Sequence, residues 1–487
     1  MSAVLERTSR FADSAPAIDS TAFSRLRGFH TGAREMGDTV CAVHGRLPVW
    51  LQGRLLLNGP AVWELPEGAY RHWFDGLAMW HRLQFAGGHV LYRSRLADSQ
   101  SARLARAAGR PVMGEFATAD TEPWLSRLTH FFRPRASDNP SVAMSRIGER
   151  WVACTQTPHL ISFEPDSLAT IGELAHDDDL DLALMAAHGM TDSRGDYWNI
   201  GIEFGRRCTY RLFRIAASGT RRESIAAIQV PRAGYLHAFA RSASHVLFVE
   251  AAWRAQPLAF LFTRRAYAAN FRWEPGSASA IHAISLADGS VQRWETPPVM
   301  SFHPVQAFED GRELVLDLCD YPDAGVIDDL ALDRLRAGVR HRAAPRLTRY
   351  RLRPGCADAQ IERLGTGFEL PQIHPSRPEQ GAARWAWGAG YDAGERNHFL
   401  DRTVRIDLHT GDRLEWQRPG AIQLEPLFVP RPGASDEDDG VLLVPTLADG
   451  DASTVIAVLD PRRMECLATI QAPQVVPFGF HGVFQPR

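Results

Sequence analysis

The chain has 487 residues, with 54 basic against 57 acidic side chains and a formal net charge of −3. It contains no lysine, so every basic residue is arginine. This excludes P-loop nucleotide hydrolases, Schiff-base or pyridoxal-phosphate enzymes and protein kinases, each of which needs a lysine amine, and the near-neutral charge argues against a nucleic-acid-binding surface.

The N-terminal segment, residues 1–35, is predicted to be an irregular lead-in to a single domain formed by residues 36–487. Its first twenty residues lack the apolar run of a signal peptide. No stretch of the chain approaches the roughly 18 consecutive apolar residues of a membrane-spanning helix. The six cysteines are widely separated and form no C-x-x-C motif, which is typical of reduced thiols. These features predict a cytoplasmic protein.

From residue 36 onward, short apolar runs alternate with turn signals. Asp-Gly pairs at five places predict turns: 75–76, 288–289, 310–311, 439–440 and 449–450. The apolar runs predict strands at 54–57, 90–92, 151–154, 245–249, 314–318, 441–444 and 455–459. Because about 450 residues follow this pattern without a composition break, we expect an all-β fold, and a propeller fits that length best.

Residues 121–135 (TEPWLSRLTHFFRPR) differ from this β pattern. Pro123 can begin a helix, and an apolar stripe with helical spacing follows, interleaved with arginines: Trp124, Leu125, Leu128, Phe131 and Phe132. Such a stripe is typical of a core-packed surface helix and also of a helix that lies in a membrane surface. The sequence alone favours the core-packed helix.

Four of the eighteen histidines lie at strand-like edges beside apolar residues. They are His188 in MAAHGM, His237 in GYLHAF, His303 in SFHPVQ and His481 in GFHGVF. The gaps of 49, 66 and 178 residues between them match no local metal-binding motif, so spacing alone does not distinguish them from hydrogen-bonded core histidines.

These four contexts, in this order, resemble those of the carotenoid cleavage oxygenases. Within that family the chain is similar to the animal-type branch of β-carotene oxygenases and the retinal-pigment-epithelium retinoid isomerase. The resemblance spans about residues 40–487 and includes HGRLPVWLQGRLLLNGP (44–60), YRHWFDGLAMWHRLQF (70–85), FELPQIHP (368–375) and LEPLFVPRPGASDEDDGVLLV (424–444). The arginine bias, typical of a GC-rich genome, suggests a bacterial member.

The resemblance implies a seven-bladed β-propeller with a helical and loop cap over the substrate entrance. It implies one Fe(II) on the propeller axis, held by His188, His237, His303 and His481. Four neutral imidazoles suit Fe(II) and leave two octahedral positions open, for O₂ as co-substrate and for water or substrate.

Three carboxylates orient the ligand histidines in the family, and two of them correspond to Glu369 and Glu425. The third corresponds to Gln156, where the family usually has glutamate. An amide supplies no charge to the imidazole behind it. One expectation is a more electron-poor iron, with weaker metal retention or slower O₂ activation. The alternative is that glutamine is a tolerated substitute, since its carbonyl can still orient the imidazole.

The resemblance also implies an apolar tunnel for a polyene. Phe74, Phe116, Trp124 and Trp387 are candidate wall residues, although core packing is favoured for any one of them. The 121–135 stripe corresponds to the family's membrane-facing patch, which favours a peripheral membrane contact through Trp124, Leu128, Phe131 and Phe132. The family's proline-cysteine pair is replaced here by Pro123-Trp124, so an acylated cysteine is not expected there.

The implied activity is Fe(II)-dependent cleavage of one carbon–carbon double bond of a carotenoid or apocarotenoid by O₂, giving two aldehyde products. Three alternatives remain. A stilbene-cleaving dioxygenase is disfavoured because the lysine of that branch is replaced by Thr155. A retinoid isomerase-hydrolase is disfavoured as a vertebrate activity, and a non-catalytic propeller with an impaired metal site is kept open by Gln156.

Overall fold

The computed structural model describes residues 24–119, 121, 136–257, 259, 265–338, 344–391 and 399–487. These residues form seven antiparallel sheets of four to six strands and two separate strand pairs. The architecture is the predicted all-β, seven-bladed propeller. All seven predicted apolar runs lie inside strands, and the Asp-Gly pairs at 288–289, 310–311 and 449–450 connect adjacent strands of a sheet. The pairs at 75–76 and 439–440 instead precede or begin strands.

Blades are numbered here from the N-terminus, and strands in chain order. Blade 1 contains β1 (Met36–Val40), β3 (Gly53–Val62), β6 (Leu77–Ala86), β7 (His89–Leu96) and β36 (His481–Pro486). Blade 2 contains β8 (Ala143–Ile147), β9 (Arg150–Cys154), β10 (Ile161–Glu164) and β11 (Ala169–Glu173). Blade 3 contains β12 (Leu184–Met185), β13 (Met190–Thr191), β14 (Tyr197–Glu203), β15 (Cys208–Ile215) and β16 (Arg222–Val230). Blade 4 contains β17 (Ala240–Arg241), β18 (His245–Glu250), β21 (Ser279–Ser285) and β22 (Val291–Thr296).

The remaining blades follow the same order. Blade 5 contains β23 (Met300–Asp310), β24 (Glu313–Tyr321), β25 (Arg346–Leu352) and β26 (Gln360–Thr366). Blade 6 contains β27 (Phe368–Gln372), β28 (Trp385–Gly390), β29 (Arg402–Asp407) and β30 (Arg413–Trp416). Blade 7 contains β2 (Ala42–Gly45), β31 (Ala421–Gln423), β32 (Leu427–Pro430), β33 (Gly440–Ala448), β34 (Val455–Asp460) and β35 (Glu465–Gln471). The separate pairs are β4 (Glu64–Leu65) with β5 (Gly68–Ala69), and β19 (Trp253–Ala255) with β20 (Phe271–Trp273).

The ring is closed by strands from both ends of the domain. The last strand, β36, pairs antiparallel with β3 of blade 1, and its first residue His481 lies opposite Asn58. The early strand β2 pairs with β35 of blade 7. Each terminal strand thus completes the sheet of a blade from the other end of the chain, which removes the free edges that an open ring would leave.

Burial separates the middle strands of a blade from its outer strand. The strands β3, β6 and β33 are buried on both faces, because each blade packs against a neighbour on either side. The outer strand β26 is mostly exposed. This explains why continuous apolar runs, and not strict alternation, were the sequence signal for the middle strands.

Short helices lie in the connections between strands. They are α1 (Gln100–Ala108), α2 (Gly325–Asp329), α3 (Leu332–Arg336) and α4 (Arg377–Gln380), with 3-10 turns at Arg25–Phe29, Trp73–Asp75 and Ala268–Asn270. Ser99 caps α1 by accepting from the Ala102 amide, and Gly109 ends the helix with a φ of 68°. The longest described helix, α1, has nine residues, and no described helix is long and apolar enough to cross a membrane.

The described end of the N-terminal segment packs against the propeller. Phe29 is 1% exposed and its ring lies edge-on to Trp73 and Phe478, with centroids 5.7 and 4.8 Å apart. Arg336 of α3 donates to the Phe29 carbonyl. Residues 24–29 are therefore part of the packed fold.

Candidate metal centre

Four histidines from different places in the sequence meet in one cluster. One ring nitrogen from each of His188, His237, His303 and His481 lies within 4.8 Å of the other three. The Nε2 atoms of His303 and His481 are 3.2 Å apart, and the His188 and His481 ring centroids are 4.1 Å apart. The structure thus brings together the four histidines that the sequence contexts single out.

Each of the four histidines belongs to a different blade. His188 lies between β12 and β13 of blade 3, and His237 lies just before β17 of blade 4. His303 lies on β23 of blade 5 and His481 begins β36 of blade 1. On β23 the register shifts between Ser301 and Pro304, and such bulges redirect a side chain relative to its sheet.

Two buried carboxylates hold two of these imidazoles from behind. Glu369 Oε2 lies 2.6 Å from His303 Nδ1, and Glu425 Oε1 lies 2.9 Å from His481 Nδ1. Both contacts leave the Nε2 atoms directed into the cluster. Neither carboxylate forms an ion pair with an arginine among the described residues, so the histidines are their only ionic partners there.

The backbone beside Glu369 is shaped to support this contact. Leu370 has a φ of 50°, a left-handed conformation that costs a non-glycine residue about 1–3 kcal/mol. In this conformation the Leu370 amide donates to Glu369 Oε2 at 2.7 Å, and Tyr321 donates to Oε1 at 3.2 Å. The carboxylate that contacts His303 is therefore fixed by two further donors.

The third imidazole has neutral partners. His237 Nδ1 lies 3.1 Å from the Tyr235 hydroxyl and 3.5 Å from Gln156 Nε2. The Gln156 amide also donates to the Leu236 carbonyl at 3.4 Å, a contact that a carboxylate could not make. Sequence reasoning missed Tyr235, although its place two residues before His237 puts both on one side of an extended segment.

Burial sets the protonation of the cluster. It lowers the pKa of His188, His237 and His481 well below that of a free imidazole, and neighbouring histidines add to the effect. These rings are neutral at physiological pH and can offer a lone pair to a metal. Burial also raises the pKa of Glu425 to about 7, although the Gly482 amide and Gln372 stabilise its charged form.

The donor set fits a divalent cation. His188 Nε2 is buried and has no hydrogen-bond partner among the described residues, which is costly for a polar atom unless something else binds it. Neither buried carboxylate has an arginine partner among the described residues, and a bound cation would offset the negative charge that they carry when ionised. Imidazole nitrogens suit Fe, Zn, Cu and Ni, so these contacts alone do not select the metal.

A largely apolar cavity adjoins the cluster. Phe74 and Phe116, two of the predicted wall residues, line it, and their ring centroids lie 5.0 Å apart. Val326 and Leu330 at helix α2 also contribute to the wall.

The prediction that Trp387 lines the tunnel is wrong. Its side chain is 0% exposed, stacks on Phe428 at 4.4 Å between centroids and donates to the Pro461 carbonyl at 3.1 Å. Trp387 thus packs blade 6 against blade 7. The sequence context of an aromatic residue does not distinguish these two environments.

The remaining predictions of this kind lie largely outside the described residues. The proposed surface stripe with Trp124, Leu128, Phe131 and Phe132 belongs to the range 122–135, which the structure does not describe.

Comparison with known proteins gives consistent matches along nearly the whole chain. The family model described as "Retinal pigment epithelial membrane protein" matches residues 29–486. A curated relative, "Carotenoid cleavage dioxygenase 8 homolog A, chloroplastic" of Oryza sativa subsp. japonica, is 31% identical over 474 residues, which cover 91% of this chain and 84% of that protein. The "Carotenoid-cleaving dioxygenase, mitochondrial" of Homo sapiens is 27% identical over 516 residues, covering 91% and 88%.

A solved structure agrees with the fold. Cobalt-substituted Synechocystis ACO superposes with a TM-score of 0.83 at 24% identity, over 95% of this chain and 98% of that one. At this level of identity the match supports the propeller architecture alone.

Proposed function

Because this chain belongs to the retinal pigment epithelial membrane protein family and is similar along its length to carotenoid-cleaving dioxygenases, we propose that it is a carotenoid-cleaving dioxygenase. Its proposed reaction is the O₂-dependent cleavage of one carbon–carbon double bond of a carotenoid or apocarotenoid into two aldehydes. The observation that carries the proposal is the cluster of four histidines, three of which, His237, His303 and His481, line an apolar cavity.

The proposed cofactor is one Fe(II) per chain, bound by His188, His237, His303 and His481. Bound iron would supply the electron transfer that lets O₂ react with a hydrocarbon. The protein's own contribution is positioning. Glu369 and Glu425 hold two imidazoles with their Nε2 atoms directed into the cluster, and no acid–base residue is required of the chain.

The cavity walls support a polyene as the substrate. Phe74, Phe302 and Phe480 line the space beside the histidines, with Phe302 5.2 Å from the His237 ring. A rigid apolar chain that fills this space excludes water and is held by ring contacts along its length. One double bond then lies next to the cluster, which is the positioning that cleavage needs.

One residue of the cavity wall argues against the alternative that the protein cleaves a stilbene-like phenolic olefin. Thr155, at the position where stilbene-cleaving enzymes are expected to have lysine, lines the cavity beside Gln156. A threonine has no ammonium group to engage a phenolate. This favours a hydrocarbon chain over a phenol as the group bound near the histidines.

The direct test is product analysis. Purified protein loaded with Fe(II) is incubated under ¹⁸O₂ with β-carotene, all-trans-β-apo-8′-carotenal or resveratrol. We expect iron-dependent cleavage of a polyene, with two aldehydes that carry label from O₂. Cleavage of resveratrol alone would favour the phenolic alternative, and failure to bind iron or turn over any olefin would favour a non-catalytic propeller.

The amide at position 156 gives a separate prediction. In Gln156→Glu, a carboxylate beside His237 Nδ1 should strengthen the imidazole as a ligand, and we expect iron affinity to rise about tenfold, the lower end of the range for such outer partners. Equilibrium competition with a chromophoric Fe(II) chelator measures the change. Gln156→Leu, which removes both polar atoms, should lower the affinity, and unchanged affinity in both variants would show that Tyr235 alone orients the ring.

We also propose a cytoplasmic location with peripheral attachment to membranes through residues 121–135. The support is the aromatic and arginine stripe in the sequence and the apolar nature of the proposed substrate, which partitions into bilayers. Flotation with phosphatidylcholine–phosphatidylglycerol vesicles tests this, and a Trp124→Ser/Phe131→Ser variant that floats as well as the wild type would contradict it.

A further inference from the structure

One acidic side chain on the cavity wall has no role in the metal centre. Glu115, in the segment between α1 and β8, lines the same cavity as His237, His303 and His481 and is 7% exposed. The aromatic residues Phe74 and Phe116 lie on the same wall. A carboxyl group in such surroundings needs hydrogen-bond partners, because burying it unpaired is unfavourable.

The position of Glu115 is fixed by its backbone. Its amide donates to the Thr118 carbonyl at 2.9 Å, and its carbonyl accepts from the Tyr267 amide at 3.1 Å. Asp75 holds the same turn, accepting from the Ala117 amide at 2.9 Å and from the Thr118 hydroxyl at 2.5 Å. The side chain is therefore placed by a rigid turn, as a binding group should be.

Of the two Glu115 carboxyl oxygens, only Oε1 has a hydrogen-bond partner among the described residues. The Ser137 hydroxyl donates to Oε1 at 2.6 Å, and Ser137 is supported in turn by the Ser101 hydroxyl at 2.9 Å. No described residue forms a hydrogen bond with Oε2 or places a cation beside the group. The other acidic wall residue, Glu369, is occupied by His303, Tyr321 and the Leu370 amide.

The charge state follows from these surroundings. Burial raises the pKa of Glu115 well above that of a free carboxyl group, and the nearby Asp75 and Asp138 raise it further. These surroundings favour the protonated form, which has an O–H to donate and a carbonyl oxygen to accept.

We propose that Glu115 binds the terminal oxygen of an oxygenated polyene, the carbonyl of an apocarotenal or the hydroxyl of an apocarotenol, and thereby fixes which double bond lies beside the histidine cluster. The inference rests on the proposed function. A neutral acid donates to a carbonyl oxygen and accepts from a hydroxyl group, so one residue serves both end groups. A hydrocarbon end offers neither and leaves Oε2 unpaired, which is the basis for discrimination.

The test compares Glu115→Leu, which removes both polar atoms at similar volume, with Glu115→Gln, which keeps a donor and an acceptor. Binding of β-apo-8′-carotenal, its borohydride-reduced alcohol and β-carotene is measured by quenching of tryptophan fluorescence. Cleavage products of the same three compounds are measured with the Fe(II)-loaded protein, and thermal unfolding checks that each variant is folded.

For Glu115→Leu we expect about a tenfold rise in Kd for the aldehyde and the alcohol, the loss of one hydrogen bond to a buried partner. The Kd for β-carotene should stay within about twofold, and cleavage of the aldehyde should spread over several double bonds. Glu115→Gln should recover most of the affinity. Equal weakening for all three compounds, or no weakening for the oxygenated ones, would overturn the proposal.

The binding assay separates this inference from the proposed function. If the wild type cleaves no polyene but still binds the aldehyde more tightly than Glu115→Leu, the dioxygenase proposal fails and the role of Glu115 stands. If the wild type cleaves polyenes and Glu115→Leu matches it in affinity and product pattern, the role of Glu115 fails and the dioxygenase proposal stands.

Discussion

Replacing His303 by alanine is expected to abolish stable metal binding and turnover together. The imidazole supplies one of four ring nitrogens within 4.8 Å of one another, and its loss also leaves Glu369 without its ionic partner. We expect iron affinity to fall by more than the roughly 100-fold that removal of an outer-shell partner costs. Metal analysis after gel filtration and the polyene-cleavage assay measure the two effects.

The matched control for this variant is His89→Ala. His89 is an exposed histidine at the start of β7, so its loss should leave iron content and turnover unchanged. If His303→Ala keeps its iron and its activity while unfolding normally, the assignment of the cluster as the metal centre is wrong.

The second large effect is expected from Glu369→Gln. The carboxylate makes a 2.6 Å contact with His303 Nδ1 and accepts from the Leu370 amide at 2.7 Å through the same oxygen. An amide keeps the shape but removes the negative charge that opposes the cation. We expect a 10–100-fold loss of iron affinity, measured by chelator competition, with turnover restored in part by excess Fe(II).

Tyr321→Phe distinguishes charge from hydrogen bonding at this site. The tyrosine donates to Glu369 Oε1 at 3.2 Å, so its removal weakens the support of the carboxylate without changing its charge. Iron affinity should fall less than about threefold in this variant. A loss as large as that of Glu369→Gln would mean that orientation, and not charge, is what Glu369 contributes.

The same contrast explains why position 156 matters. Two of the imidazoles are backed by carboxylates, whereas His237 is backed by the hydroxyl of Tyr235 and the amide of Gln156. The sequence identified the missing charge at Gln156. It did not identify Tyr235, whose hydroxyl is the nearer partner of His237. A Tyr-x-His sequence does not specify which group the tyrosine hydroxyl contacts.

Local patterns in the sequence determined the strands. The run 441–444 is apolar because the middle strands of a blade are covered on both faces. The Asp310-Gly311 pair forms a tight connection because Gly311 adopts a φ of 62°. Both signals lie within a few consecutive residues, so they can be recognised without knowing how the blades are arranged.

The sequence by itself determined the all-β fold class and excluded chemistry that needs a lysine. Through the family resemblance it also identified the four histidines as candidate metal ligands. Only the tertiary structure decided which side chains share a space. His188 and His481 are far apart in the chain, and their rings meet at 4.1 Å because ring closure by β36 brings the C-terminus back to the first blade. Trp387 lies at a contact between blades, and Glu115 lies on the cavity wall next to His237 and His303. Tertiary packing joins residues whose separation in sequence carries no information about their distance.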